Sequence, residues 1–497
     1  MADDNYLTSP PKISTMPPGV PYIVGNEAAE RFSYYGMNSI LTIFMTKYLL
    51  DKMGHLSVMQ PANAEAWYHT FVSTLYFLPI FGAILADAVF GKFKVVFWIS
   101  IVYCLGHLTL ALMGSAVAHV IEPRYLLAVG LVLIAIGAGG IKPCVSTNVG
   151  DQFGESNKHL LTRVFNWFYF SINAGSAFST LLIPWLLEPG SIWDWLRNLL
   201  PASVADFLVS PRLHSPDVAF GLPGIFMAIA TVVFWMGRKK FVHIPPVGLR
   251  TYGREIFNKE TGKIILNVLM PVPFIAIFWA LWQQNFSSWI VQAESMDRHL
   301  FGIEWLSSQI QTVNPIFILI MLPLFSYWLY PFLEKFVRLT PLRKIGAGLF
   351  VTAASFFLVA MIQTRIDAGA RPGIIWQIWA FVILTAGETL VSPTHLEFSY
   401  TQGPVKLKSL IMCTYLLAVS LGNVFTAAVN FIIQNPDGSV KLQGTSYFMF
   451  FVWVMLGTAV LFAIISPFYK GRTYLQDQAR VSGEAEPAIG FAVQPEA

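Results

Sequence analysis

The chain has 497 residues, 55% of them hydrophobic and only 12% charged, with a mean hydropathy of +0.57. Soluble domains carry about twice that share of charge, so lipid is the solvent for most of this chain. A net charge of +4 without a concentrated basic face excludes a nucleic-acid binder.

Apolar runs that can cross a bilayer, about 20 residues each, fall near 22–50, 66–90, 94–118, 124–148, 161–187, 217–237, 264–292, 308–332, 342–363, 373–399, 407–434 and 445–469. This predicts an all-α integral membrane protein with about twelve helices. The first twenty residues are polar and proline-rich, without the basic start and apolar core of a cleavable signal peptide. The first span is then expected to act as its own insertion signal.

Basic residues cluster in alternate connections: Lys92 and Lys94; Lys158 and Arg163; seven between Arg238 and Lys263; Lys335, Arg338, Arg343 and Lys344; Lys406 and Lys408. Positive charge stays inside, so both termini are expected in the cytoplasm and the protein in a plasma membrane (the bacterial inner membrane if the source is prokaryotic). The most basic connection divides the spans six and six, the layout of a two-half transporter. The expected division is a tail at 1–20, a first six-helix bundle at 21–237, a cytoplasmic linker at 238–263, a second bundle at 264–471 and a disordered tail at 472–497. The segment 188–216, with Trp193, Trp195 and Phe207, reads as an amphipathic piece at the membrane surface. Cys104, Cys144 and Cys413 fall in apolar runs without metal-ligand spacing and read as small buried side chains.

Charges at bilayer depth are costly and face a bundle interior or a water-filled space. In GNEAAERFSYYGM, Glu27, Glu30 and Arg31 share one helical face with Tyr34, Tyr35 and Asn38 further along. Two carboxylates beside one arginine titrate together, so breaking their contact moves their proton affinity. Lys142, in LIAIGAGGIKP, requires an anion from another helix or from a substrate. Gly137, Gly139 and Gly140 beside it allow close helix approach. Glu388 lies mid-helix in TAGETLVSP and is suited to a cation or proton; Glu397, toward the cytoplasmic end, is suited to a gate. In GAILADAVFGKFK, Asp87 is placed to cap or pair at a helix end, with Lys92 and Lys94 facing the cytoplasm. That stretch fits the GxxxDxxxG[KR]x[KR] loop of the major facilitator superfamily.

ExxERFxYYG is filled without a gap by Glu27, Glu30, Arg31, Phe32, Tyr34, Tyr35 and Gly36. FNWFYFSINAGS (165–176), GETLVSPTHLEFSY (387–400), FWALWQQN (278–285) and QTVNP (311–315) accompany it. Together these resemble the proton-dependent oligopeptide transporter family of the major facilitator superfamily, over residues 20 to 470. The resemblance implies two six-helix bundles and proton-driven import of di- and tripeptides by alternating access. It implies protons as the coupling ion in place of any cofactor, and peptides, protons and membrane lipid as partners. Glu27, Glu30, Arg31 and Lys142 resemble the proton-coupling and carboxylate-binding cluster. Glu388 and Asn173, with Asn314 nearby, resemble the groups that receive the peptide amine. Tyr34, Tyr35, Tyr68, Trp279 and Ser392 resemble the pocket lining, and His69 an outer-gate histidine.

The chain departs from the family pattern in paired ways. Asn38 and Gln283 stand where an arginine and an aspartate often face each other, as do Asn267 and Ser326; Tyr415 replaces a tryptophan. Joint loss leaves no orphan charge, but shifts carboxylate recognition onto Arg31 and Lys142. The 238–263 linker is too short and polar for the two extra helices of many bacterial members. Carriage of nitrate, another small anion or a peptide-like solute on the same fold is the alternative, which the negative Glu388 opposes. A membrane enzyme or a receptor is a third class: no HExxH, nucleophile elbow or phosphate loop stands in a supporting context, and His395 with Glu397 makes a poor metal site.

Overall fold

A backbone in lipid must satisfy its own hydrogen bonds, and a helix does so within one segment. The computed structural model describes residues 6–469 apart from 189, 191–199, 202, 205, 207–209, 211, 257, 402–407 and 438. The first half comprises α1 (Val20–Ile43, continued by a π-turn at Phe44–Tyr48), α2 (Pro61–Phe90), α3 (Lys92–Gly114), α4 (Pro123–Asp151), α5 (Lys158–Leu187) and α6 (Pro216–Lys239). A short linker helix, Leu249–Ile256, leads to the second half. There α7 is two segments, Thr261–Leu269 and Val272–Glu294, followed by α8 (Ser307–Glu334), α9 (Pro341–Asp367), α10 (Ile375–Ser399), α11 (Cys413–Ile432) and α12 (Thr445–Phe468).

Among the described residues ten of these helices are each long and apolar enough to span a bilayer, and the bent α7 makes an eleventh. The polar stretch at Glu27, Glu30 and Arg31 keeps α1 out of that apolar class, yet it is of spanning length. Prolines set several starts. Pro61, Pro123, Pro216 and Pro341 open α2, α4, α6 and α9, where a missing N–H costs nothing. Inside a helix the same residue removes a bond, and α7 bends by 44° at Met270–Pro271.

The glycines of α4 do what their spacing suggested. A Cβ on Gly137 would stand 2.4 Å from the Tyr103 Cβ of α3, and one on Gly139 2.7 Å from the Leu75 carbonyl of α2. Within the first half α1 packs on α5 and α6, and α3 on α4 and α6; within the second, α9 packs on α10 and α12, and α7 on α11. The halves meet along α2 with α11 and along α5 with α8.

The N-terminal segment lies against one end of the bundle. The His243 amide donates to the Leu7 carbonyl at 2.7 Å, and Ser156 Oγ to the Ile13 carbonyl at 2.9 Å. This is termed the near end, and the opposite one the far end. The interfacial reading of Trp193, Trp195 and Phe207, and the tail after 472, fall outside the described residues.

Candidate functional site

The charges of α1 answer one another. Arg31 Nε donates to Glu27 Oε1 at 2.7 Å and lies 3.1 Å from Glu30 Oε2. The Arg31 side chain is 12% exposed and the two carboxylates almost completely buried, so the helix holds its own counter-ions in lipid.

Lys142 does not pair with them, so of the two anions its sequence context required, one from another helix or one from a substrate, the first is not supplied among the described residues. Its Nζ sits 4.5 Å from the Tyr34 ring centroid and 5.3 Å from that of Tyr76, and among the described residues it forms no ion pair. Both nearby carboxylates are committed to Arg31, and aromatic faces take the ammonium instead.

Between the halves lies a cavity of about 340 Å³. Glu27, Arg31, Tyr76 and Lys142 supply its wall from the first half; Leu396, Cys413, Tyr415 and Leu416 supply the other. Asp87 and Lys92 line it toward the near end. Cys144 and Cys413 therefore face this space, where the sequence suggested packing alone.

Glu388 stands about two turns before Leu396 on α10. Its Oε2 accepts from Asn314 Nδ2 at 2.7 Å and from Trp282 Nε1 at 2.8 Å. Asn314 also donates to Thr385 Oγ1 at 3.0 Å. So α7, α8 and α10 together aim one carboxylate. Asn173 is not hydrogen-bonded to this carboxylate; its Nδ2 donates to the Tyr169 carbonyl within α5 at 2.9 Å, which leaves its Oδ1 to face a ligand. Ser392 Oγ and Tyr415 Oη are 2.9 Å apart. Trp279 packs edge-on against both Tyr415 and Trp282, and Tyr35 edge-on against Tyr34.

The far end is closed by bonds between the halves. Asn38 Nδ2 donates to Tyr68 Oη at 3.1 Å, and Tyr68 Oη to Gln283 Oε1 at 3.4 Å. A neutral chain thus runs from α1 through α2 to α7. His69 Nδ1 lies 2.7 Å from Asn423 Oδ1 and its Nε2 3.0 Å from Ser287 Oγ. A neutral imidazole meets both, donating to the amide oxygen and accepting from the hydroxyl. Lys47 pairs with Glu294, which also accepts from Arg298 Nη1 at 3.0 Å.

At the near end Lys92 does not face solvent as expected. Its Nζ donates to Asp151 Oδ2 at 2.6 Å, with side chains 18% and 9% exposed; Lys94 is exposed. The Asp87 carbonyl accepts from the Val247 amide of the linker at 2.9 Å. Glu397 is exposed and lies off the cavity wall. Asn267 and Ser326 are both exposed. Sequence reasoning passed over Tyr76, Asp151, Asn423 and Ser287, and did not foresee Trp282 as a donor to Glu388. Only Trp282 stood inside a quoted motif.

The model of the POT family matches residues 93–251 and 250–448. The chain is 33% identical over 393 residues to "Peptide transporter 3" of Caenorhabditis elegans, a match covering 72% of this chain and 52% of that protein. It is 34% identical over 404 residues to human "Solute carrier family 15 member 2", covering 72% and 51%. The chain thus spans about half the length of the curated relatives it matches. Solved structures are matched nearly end to end. The POT family transporter PepTSo aligns with a TM-score of 0.76 at 31% identity, over 92% of this chain and 99% of that one. An auto inhibited POT family peptide transporter aligns with a TM-score of 0.78 at 29% identity, over 93% and 99%. With two six-helix halves around a charged central cavity, the chain belongs to the proton-dependent oligopeptide (POT) transporter family and has its major facilitator fold.

Proposed function

We propose that this chain is a proton-coupled symporter that imports di- and tripeptides. The observation that carries the reading is a charge arrangement divided between the halves. Arg31 and the unpaired Lys142 stand on the first; Glu388, held by Asn314 and Trp282, stands on the second. Every peptide zwitterion has a carboxylate at one end and an amine at the other. Fixed charges of opposite sign read those ends, and the apolar and aromatic surface between them tolerates many side chains.

Arg31 and Lys142 bind the carboxylate, Glu388 with Asn314 and Asn173 receives the amine, and Tyr34, Tyr35, Tyr68, Trp279, Ser392 and Tyr415 line the pocket. Asn38 and Gln283 take part through their neutral chain to Tyr68. The near end is assigned to the cytoplasm of a cell bounded by its plasma membrane, with bundles at 21–237 and 264–471 joined by the 238–263 linker. Asp87 and Glu397 serve the inner gate. Facing outward, Glu27 or Glu30 takes a proton and loosens its hold on Arg31. Peptide binds, the halves rock about it, His69 and its partners close the outer side, and the proton leaves inward. The proton is the coupling ion and no metal or organic cofactor is required. Each charge moved inward gains about 2.3 kcal/mol per 100 mV, enough for more than tenfold accumulation.

Carriage of a small anion such as nitrate is the second reading, prompted by the uncharged Asn38 and opposed by the negative Glu388. Uptake of labelled dialanine into proteoliposomes decides between them, with and without an inward proton gradient and with nitrate and free alanine as competitors. Gradient-dependent uptake blocked only by di- and tripeptides supports the symporter. Absence of dipeptide uptake by folded protein overturns it.

A further inference from the structure

On α2 the groups Glu65, His69 and Ser73 recur at four-residue spacing and so lie on one face. That face meets the second half. His69 reaches Asn423 and Ser287, and the Ser73 carbonyl accepts from Ser420 Oγ at 2.8 Å. Glu65 makes the outermost rung. Tyr447 Oη of α12 donates to Glu65 Oε2 at 3.2 Å, and Asn430 Nδ2 of α11 donates to the Tyr447 oxygen at 3.1 Å. All three side chains are buried.

The charged and titratable groups of this end include Asp51 with His55, Glu122, Asp297 with His299, Asp367, which accepts from Thr445 at the start of α12, and Lys441. Tyr447 faces Glu65 from α12. His69 lies one turn inward on the same helix. Lys47, Glu294 and Arg298 bond among themselves on α1 and after α7, and Arg124 of α4 donates to Ser57. Of these only Tyr447 is hydrogen-bonded to Glu65, and among the described residues Glu65 has no ion-pair partner. An ionised carboxylate here would be desolvated against one neutral donor, whereas the neutral acid keeps that bond without the charge penalty.

We propose that Glu65 is a second proton-binding site, which closes the outer gate. This rests on the alternating-access reading above. As the halves join at the far end, the Glu65 carboxylate takes one proton from external water and becomes a carboxylic acid bonded to Tyr447. When the gate reopens, that proton returns to the same water. The proton is not carried across, so the site sets the pH at which the gate closes and leaves the proton-to-peptide ratio unchanged. From the range of a hydrated glutamate, about pH 4.3, up to the pH at which the closed-gate acid itself ionises, the ratio of closed to open gates falls about tenfold per pH unit on account of this group.

The test is a distance measurement between spin labels at Gln60 and Gln443, with Cys104, Cys144 and Cys413 replaced by serine. The protein is held in lipid nanodiscs without peptide from about pH 5 to about pH 8. Glu65→Gln keeps an acceptor for Tyr447 and is expected to lower the slope of log(closed/open) against pH by about one proton, a tenfold change per unit. Glu65→Thr serves as the second variant and should read the same. An unchanged slope in a folded variant overturns the proposal. Because no peptide is present, this outcome is independent of dialanine uptake, so failure of the cargo assignment and failure of the gate proton are told apart.

Discussion

One nitrogen, Nε of Arg31, is shared by two carboxylates: it donates to Glu27 at 2.7 Å and stands 3.1 Å from Glu30. With Glu27 made permanently neutral, protonation no longer decides whether that contact holds. Glu27→Gln is expected to abolish uptake driven by a proton gradient while peptide counterflow persists. Both are measured in the same proteoliposomes, and loss of both from a folded protein contradicts a coupling role.

Glu388 is aimed by Asn314 and Trp282. A charge-assisted hydrogen bond is worth about 1.5–3 kcal/mol, so Glu388→Gln should raise the KM for a dipeptide about ten- to hundredfold. Asn314→Ala, which leaves the charge, should raise it less. Competition by N-acetyl-dialanine supplies the control. Wild type should reject a blocked amine, and the Glu388 variant should discriminate poorly. Equal discrimination by both would remove Glu388 from amine recognition.

The Lys92–Asp151 pair joins the start of α3 to the end of α4. Breaking a largely buried pair leaves a lone charge and costs about 3 kcal/mol. Asp151→Asn should lower the melting temperature in detergent, and adding Lys92→Met should recover much of the loss. A double-mutant cycle with no coupling energy would show that the pair is incidental.

Gly137→Ala places a methyl 2.4 Å from the Tyr103 Cβ. Overpacking of this kind costs about 1–3 kcal/mol. Thermal stability should fall while the KM of the surviving protein stays near wild type, because α3–α4 packing lies behind the cavity wall.

His243 lies beyond the end of α6, its ring 4.4 Å from that of Tyr6, and donates from Nε2 to the Arg238 carbonyl at 2.7 Å. Partial burial holds its pKa below the usual value, against a smaller opposing effect of that carbonyl. The folded state thus resists protonation more than the unfolded chain does. Its contribution is complete above about pH 6.5 and is lost as pH falls from there through the lower folded value. Amide exchange at His243, whose N–H bonds Leu7, should quicken at acid pH beyond its intrinsic rate. In His243→Gln that extra pH dependence should disappear.

The spans were legible because bilayer thickness imposes length, and because prolines such as Pro61 and Pro123 mark starts. The α1 cluster was legible because all its members lie within one helical turn. Contacts between distant segments were not. Lys92 and Asp151 are 59 residues apart, and nothing local to either points to the other. The same holds for His69 with Asn423 and Ser287. Spacing announced that Lys142 required a partner without naming the aromatic faces that serve. Asn173 looked available, yet its amide bonds its own helix, a choice of rotamer that sequence does not record.

The chain of Asn38, Tyr68 and Gln283 consists of uncharged groups, and parting it separates no formal charge. The membrane voltage does work only on charge that moves through its field. That part of gate opening is therefore electrically silent. In the proposed cycle, charge movement arises instead from charged groups such as Arg31, Lys142, the carboxylates around them and the far-end pair Lys47–Glu294. A substitution that restored charge at Asn38 and Gln283 would add a voltage-dependent step that the present protein does without.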